Sequence, residues 1–123
     1  MRKVRAVAAW LLALVLIVFG GNYFVDVLEF EPQGAQEGID VLLALRAGGL
    51  MAYVSASHLL VGAGLLLGRT RFAAAFFQLH ITLGIVAFHL ALLPEGLGPA
   101  VVLLVLNVLA LDPARVLALF VRA

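Results

Sequence analysis

Apolar residues run along this chain in four long blocks separated by short polar breaks, and the third block sets terms for the others. From Phe72 to Leu93 no residue carries a formal charge. At helical rise that stretch covers about 33 Å, enough to cross a hydrocarbon core of about 30 Å. Embedded in it are Gln78, His80, Thr82 and His89. At 100° per residue, Gln78, Thr82 and His89 fall within about 40° of one another, while His80 points the opposite way. A helix alone in lipid would leave such a stripe unsatisfied, at several kcal/mol per group. The pattern therefore predicts a bundle whose other helices cover it.

The remaining blocks supply those helices. The first predicted span, 5–25, follows Arg2, Lys3 and Arg5 and closes on Gly20-Gly21-Asn22-Tyr23. It exceeds the apolar region of a signal peptide, typically about 7–15 residues, and no small-x-small cleavage site follows it, so it reads as a retained span. An acidic loop comes next, with Pro32 and Gly34 as helix breakers. The stretch from Asp40 to Leu67 would be about 42 Å long as a helix, too much for one upright crossing. Gly48-Gly49 offers the break. A short outer interfacial helix is expected near Gln36–Ala47, with Glu37, Asp40 and Arg46 turned to water, before a second span over 50–67. Ala52, Ala56 and Gly64 give that span a small-residue packing face. Gly68-Arg69-Thr70-Arg71 forms a basic turn into the third span, 71–93. Pro94 to Pro99 leads into a fourth, 99–111, where Asp112-Pro113 interrupts. Either the span continues, kinked, to 121, or Asp112 caps a separate C-terminal surface helix with Pro113 at its first position and Arg115 and Arg122 on its wet face. The second geometry is preferred. The expected fold class is all-α, a four-helix transmembrane bundle in a single domain, 1–123.

Composition agrees: 65% of residues are hydrophobic and the mean hydropathy is +1.18, far outside the soluble range. Charge adds a direction. With a cytoplasmic N-terminus, Arg2, Lys3, Arg5, Arg69, Arg71, Arg115 and Arg122 lie inside, leaving Arg46 as the one outer cation among eight. The acids, Asp112 excepted, fall outside. The positive-inside rule thus predicts N- and C-termini both cytoplasmic. Cations confined to membrane boundaries make no nucleic-acid patch. Absence of cysteine excludes disulfides, thiolate nucleophiles and iron–sulfur ligation.

Depth selects the polar residues that can meet. His58 lies about 12 Å inside the outer end of the second span, Asn107 at a similar depth in the fourth, and Asn22 and His89 within about 5 Å of the outer ends of the first and third. One group from each span thus falls in the outer half, where Asn22, His58, His89 and Asn107 can line a crevice for a polar head such as a quinone carbonyl, with apolar walls around its tail. Histidine also exchanges protons near neutral pH, as quinone reduction requires. The alternative is interhelical hydrogen bonding among the same groups. His80 reads as a packing residue, and Gln78 with Thr82 as a bond to a neighbouring helix. No two histidines are spaced for a shared metal, and Ser55 and Ser57 lack a base and carboxylate for hydrolysis.

Several motifs resemble the DoxX-like family of small bacterial membrane proteins. They are Phe19-Gly20-Gly21-Asn22-Tyr23-Phe24, then Gly62-Ala63-Gly64-Leu65-Leu66-Leu67-Gly68-Arg69, and Phe88-His89-Leu90 followed by Pro94-Glu95-Gly96-Leu97. Their order spans nearly the whole chain. The resemblance implies four membrane helices, Asn22 and His89 at positions where the family tends to have Asn and His, and a place in oxidoreductase assemblies such as quinone-linked thiosulfate oxidation. His58 stands where members often carry glutamate. The implied role is a small inner-membrane subunit or accessory protein of a quinone-linked redox complex, with the lipid bilayer and oxidoreductase subunits as partners and homo-oligomers left open. A structural or assembly protein without ligand is the alternative.

Overall fold

A computed structural model describes residues 1–121. Arg122, expected beside Arg115 on a wet helix face, lies outside the described residues. Within them the chain is all-α: α1 (Arg2–Val25), α2 (Gln36–Ala47), α3 (Leu50–Leu66), α4 (Arg71–Ala91), α5 (Leu97–Ala110) and α6 (Pro113–Val121), with a 3₁₀ turn at Pro94–Gly96 ahead of α5. Two helices, α1 and α4, are long and apolar enough to cross a membrane. The number rises to four if α2 with α3, bent by 74°, and residues 94–110 with α6, bent by 72°, each count as one broken span.

Local chemistry sets the breaks. Asp26 ends α1 in a left-handed conformation, φ 51°, with its N–H on the Asn22 carbonyl. Gly49 adopts φ 82° at the bend from α2 to α3, a conformation that costs glycine little. The α3–α4 turn satisfies orphan carbonyls at the end of α3: Thr70 Oγ1 donates to the Gly64 carbonyl at 2.7 Å and Arg71 Nε to that of Leu65 at 3.0 Å. Of the two geometries open at the C-terminus, the chain takes the separate helix. Asp112 Oδ1 accepts from the Ala114 N–H at 3.1 Å, an N-cap, and its other oxygen is held by Arg5 Nη1.

Four helices close a ring in the spatial order α1–α3–α4–α5, with α5 returning to α1. The tightest approach is α1 on α3. A Cβ built on Gly20 would lie 2.8 Å from the Ser55 carbonyl oxygen and 2.9 Å from His58 Cβ, and one on Gly62 would strike Ile17. The close-packing face of α3 is therefore Ser55, His58, Gly62 and Leu65 rather than the expected Ala52–Ala56–Gly64 row. Ala56 is exposed, Ala52 is half-buried, and Gly64 closely approaches Ala74 of α4. Residue size alone does not tell in which direction the neighbouring helix lies. Leu12, Ala13, Leu16, Leu65 and Ala75 fill a dry core in the half of the ring near the α3–α4 turn. The exterior is apolar, with Leu14, Leu60 and Leu90 each more than half exposed. An apolar outside around buried polar groups fits a membrane protein.

Candidate ligand cavity

Polar side chains inside the ring separate into two groups that depth alone would merge. Midway along α4, Gln78 Nε2 donates to Thr82 Oγ1 at 3.2 Å, and the Thr82 hydroxyl donates to Asn107 Oδ1 at 2.9 Å. Asn107 Nδ2 then donates to the Ala75 carbonyl at 2.8 Å. All three side chains are fully buried. This brace ties α5 to α4, as the paired Gln78 and Thr82 suggested. It corrects the placement of Asn107: that residue faces α4 and does not line the outer crevice, because its height along α5 matched His58 but its azimuth did not.

The second group borders a cavity of about 630 Å³ between α1, α3 and α4 at their ends away from the α3–α4 turn. Asn22, His58 and His89 all line it, so three of the four expected residues converge. Their availability differs. Asn22 is spent on the loop: Nδ2 donates to the Leu28 carbonyl at 2.8 Å, and Oδ1 accepts from the N–H groups of Val27 and Leu28 at 3.1 and 2.7 Å. His89 is half-committed. Its Nδ1 lies 2.9 Å from the Leu93 carbonyl, an acceptor, so Nδ1 carries the proton and Nε2 keeps the lone pair. Gly96 packs directly on this imidazole, and any Cβ there would collide with the ring. His58 is the uncommitted one. It is 9% exposed, and its buried Nε2 has no hydrogen-bond partner among the described residues.

Contributions from α4 span one whole flank of the helix, from His80 through Ile81, Gly84, Ile85 and Phe88 to His89. At 100° per residue that arc is about half the circumference. His80, expected to be a packing residue, therefore sits at the exposed edge of the cavity while its ring also stands edge-on to Phe77 at 4.9 Å. The one signal in the sequence was Gly84, a glycine inside a helix with nothing within 4 Å of its missing Cβ. Arg46 likewise belongs to the rim rather than simply to water, its guanidinium lying 5.5 Å from the Tyr23 ring centre.

The acidic loop and α2 reach the border of the cavity through Leu28, Phe30, Leu42, Leu45 and Arg46. Phe30 from the acidic loop packs on Phe19, ring centres 5.3 Å apart. Gly38 of α2 rests against the Leu92 carbonyl and the Leu93 side chain so closely that no Cβ fits. Among the described residues no cluster of three or more His, Asp or Glu is arranged to hold a metal ion. The arrangement can hold a polar head at His58 and His89 within largely apolar walls. Comparisons with protein-family models, curated proteins and solved structures find no match for the chain.

Proposed function

We propose that this is a four-span bacterial inner-membrane protein, both termini cytoplasmic, that binds an amphiphile with a quinone-like head in the outer half of its bundle. In this reading it serves as a subunit or accessory protein of a quinone-linked redox complex. The resemblance to DoxX-like proteins suggests the redox setting, and the cavity supports the ligand. One observation carries it: the buried, unpartnered Nε2 of His58 at the wall of a cavity of about 630 Å³. That volume lies within the range of small-molecule sites, about 300–1,000 Å³. A buried ring nitrogen without a partner costs about 1–3 kcal/mol, which a ligand oxygen would recover. Because Nε2 is itself shielded, the ring meets that oxygen by turning about Cβ–Cγ. His89 presents the complementary lone pair, so a hydroquinone hydroxyl suits Nε2 of His89 and a carbonyl suits a protonated nitrogen of His58.

The test is equilibrium binding of decyl-benzoquinone to the purified protein in lipid nanodiscs. His58→Leu keeps the Cβ against which Gly20 rests and removes the ring nitrogens. Binding should weaken at least about tenfold, the equivalent of about 1.4 kcal/mol. Unchanged affinity would remove the assignment. The purely structural reading suits Thr82 and Asn107, whose bonds close on each other, on Gln78 and on backbone, although Gln78 Oε1 has no partner among the described residues.

A further inference from the structure

Loop and α2 residues border the cavity at one end of the ring, and on its α3 and α4 walls Tyr53, His80 and Gly84 are exposed. Phe30 on Phe19 and Arg46 on Tyr23 bring the loop and α2 to the border of the cavity at the end away from the α3–α4 turn. Asn22 clamps the start of that loop. Laterally the walls are α3 and α4. These meet closely beside their connecting turn, where a Cβ on Gly64 would lie 3.0 Å from that of Ala74. Farther along, the facing residues are Tyr53 of α3, 57% exposed, and His80 and Gly84 of α4, both exposed, with open space at the missing Gly84 side chain.

From this geometry, and resting on the ligand reading above, we infer that the cavity is reached sideways from the bilayer, through a portal between α3 and α4 with Gly84 as its sill. The occupant is then a membrane-partitioned amphiphile whose head lies inward at His58 and whose apolar tail leaves past Gly84 among the lipid chains. A glycine suits the sill because any larger side chain would occupy the path of the tail. A ligand from the aqueous phase would instead pass beside the clamped loop. The same portal accounts for a histidine at an otherwise lipid-facing position: His80 stands at the edge where a polar head passes.

The experiment compares decyl-benzoquinone with its tailless parent benzoquinone, in nanodiscs, for the wild-type chain and Gly84→Leu. In wild type the tail should raise affinity at least tenfold, and in Gly84→Leu that gain, read as the ratio of the two affinities, should fall to threefold or less. Open space at Gly84 leaves room for the leucine to fold, which equal thermal unfolding would verify. A decyl-benzoquinone bearing a diazirine at the tail end provides an independent readout: label on Tyr53, His80 or their neighbours supports the portal. Label on the Asp26–Phe30 loop, or an unaltered tail effect in Gly84→Leu, overturns it while leaving the ligand reading intact. Failure of wild type to bind either quinone removes both.

Discussion

Replacing Asn107 by alanine is expected to loosen the bundle without emptying the cavity. Its amide makes two bonds in a fully buried layer, to Ala75 at 2.8 Å and from Thr82 at 2.9 Å. Polar bonds between helices in membrane proteins average about 0.6 kcal/mol and reach about 1.7, so the pair contributes about 1.2 kcal/mol with a ceiling near about 3.4. Two effects adjust this in opposite directions. The Thr82 hydroxyl can turn back to the Gln78 carbonyl four residues earlier, which softens the loss. The removed amide leaves a void where no solvent reaches, which deepens it. A destabilisation of about 1.5–2.5 kcal/mol is the expected outcome. Reversible unfolding in mixed micelles measures it, and a double-mutant cycle with Thr82→Val isolates the shared bond. The coupling should be about 0.6–1.7 kcal/mol. Coupling below about 0.3 kcal/mol, the usual error of additivity, would refute the brace. So would an Asn107→Ala protein of full stability that no longer binds decyl-benzoquinone.

Substitutions at four further positions test the packing. Gly20→Ala meets backbone and Cβ atoms at 2.8 and 2.9 Å, so α1 and α3 must separate, at a cost of about 1–3 kcal/mol in thermal unfolding. Gly84→Ala meets nothing and should instead stabilise, by about 0.5–1 kcal/mol of helix propensity. Asp112→Asn keeps the cap on Ala114 and loses the part-buried pair with Arg5, so it should cost about 1 kcal/mol and less at high salt. Asp112→Ala loses the cap as well, worth about 1 kcal/mol more by the same measurement. Gly38→Leu cannot seat α2 against Leu92 and Leu93, and limited proteolysis should cut the 26–35 loop several times faster than in wild type.

Periodicity and punctuation made much of the helix pattern legible. Gly48-Gly49 marked the bend into α3 because only a residue tolerant of positive φ turns there cheaply, and Gly49 has φ 82°. Asp112-Pro113 marked a cap because aspartate accepts backbone N–H bonds and proline fits a first turn. What the chain alone did not reveal was azimuth. Depth follows from counting residues at a fixed rise, and it put Asn107 and His58 at one height. Which way each points depends on how α5 and α3 rotate against their neighbours, and the decisive contacts there, Gly20 on His58 and Asn107 on Ala75, link residues far apart in sequence. Asn22 and His89 were legible as polar groups near helix ends. Their engagement with the Leu28 and Leu93 carbonyls depends on loop conformations that composition does not specify.

The two polar groups divide the work of the ring between its halves. Near the α3–α4 turn, the dry core and the Gln78–Thr82–Asn107 brace fix α4 to α5, while the Gly62 contact fixes α1 to α3. Past that level α3 and α4 share a hollow instead of a seam, and no residue of α5 borders it. A cavity in a small bundle removes packing contacts, so the half that stays solid has to hold the helices in register. His58 occupies the boundary: its Cβ belongs to the tight α1–α3 contact and its ring to the cavity wall. With its Cβ held in that contact, the ring offers a nitrogen to the cavity by turning about Cβ–Cγ. The division also fixes an order of sensitivity. Substitutions in the brace should act on unfolding and leave ligand affinity alone, whereas substitutions of the His58 ring should act on affinity first. If His58→Leu lowered stability by as much as Asn107→Ala and left quinone affinity unchanged, the two layers would be one structural unit and the hollow a packing defect.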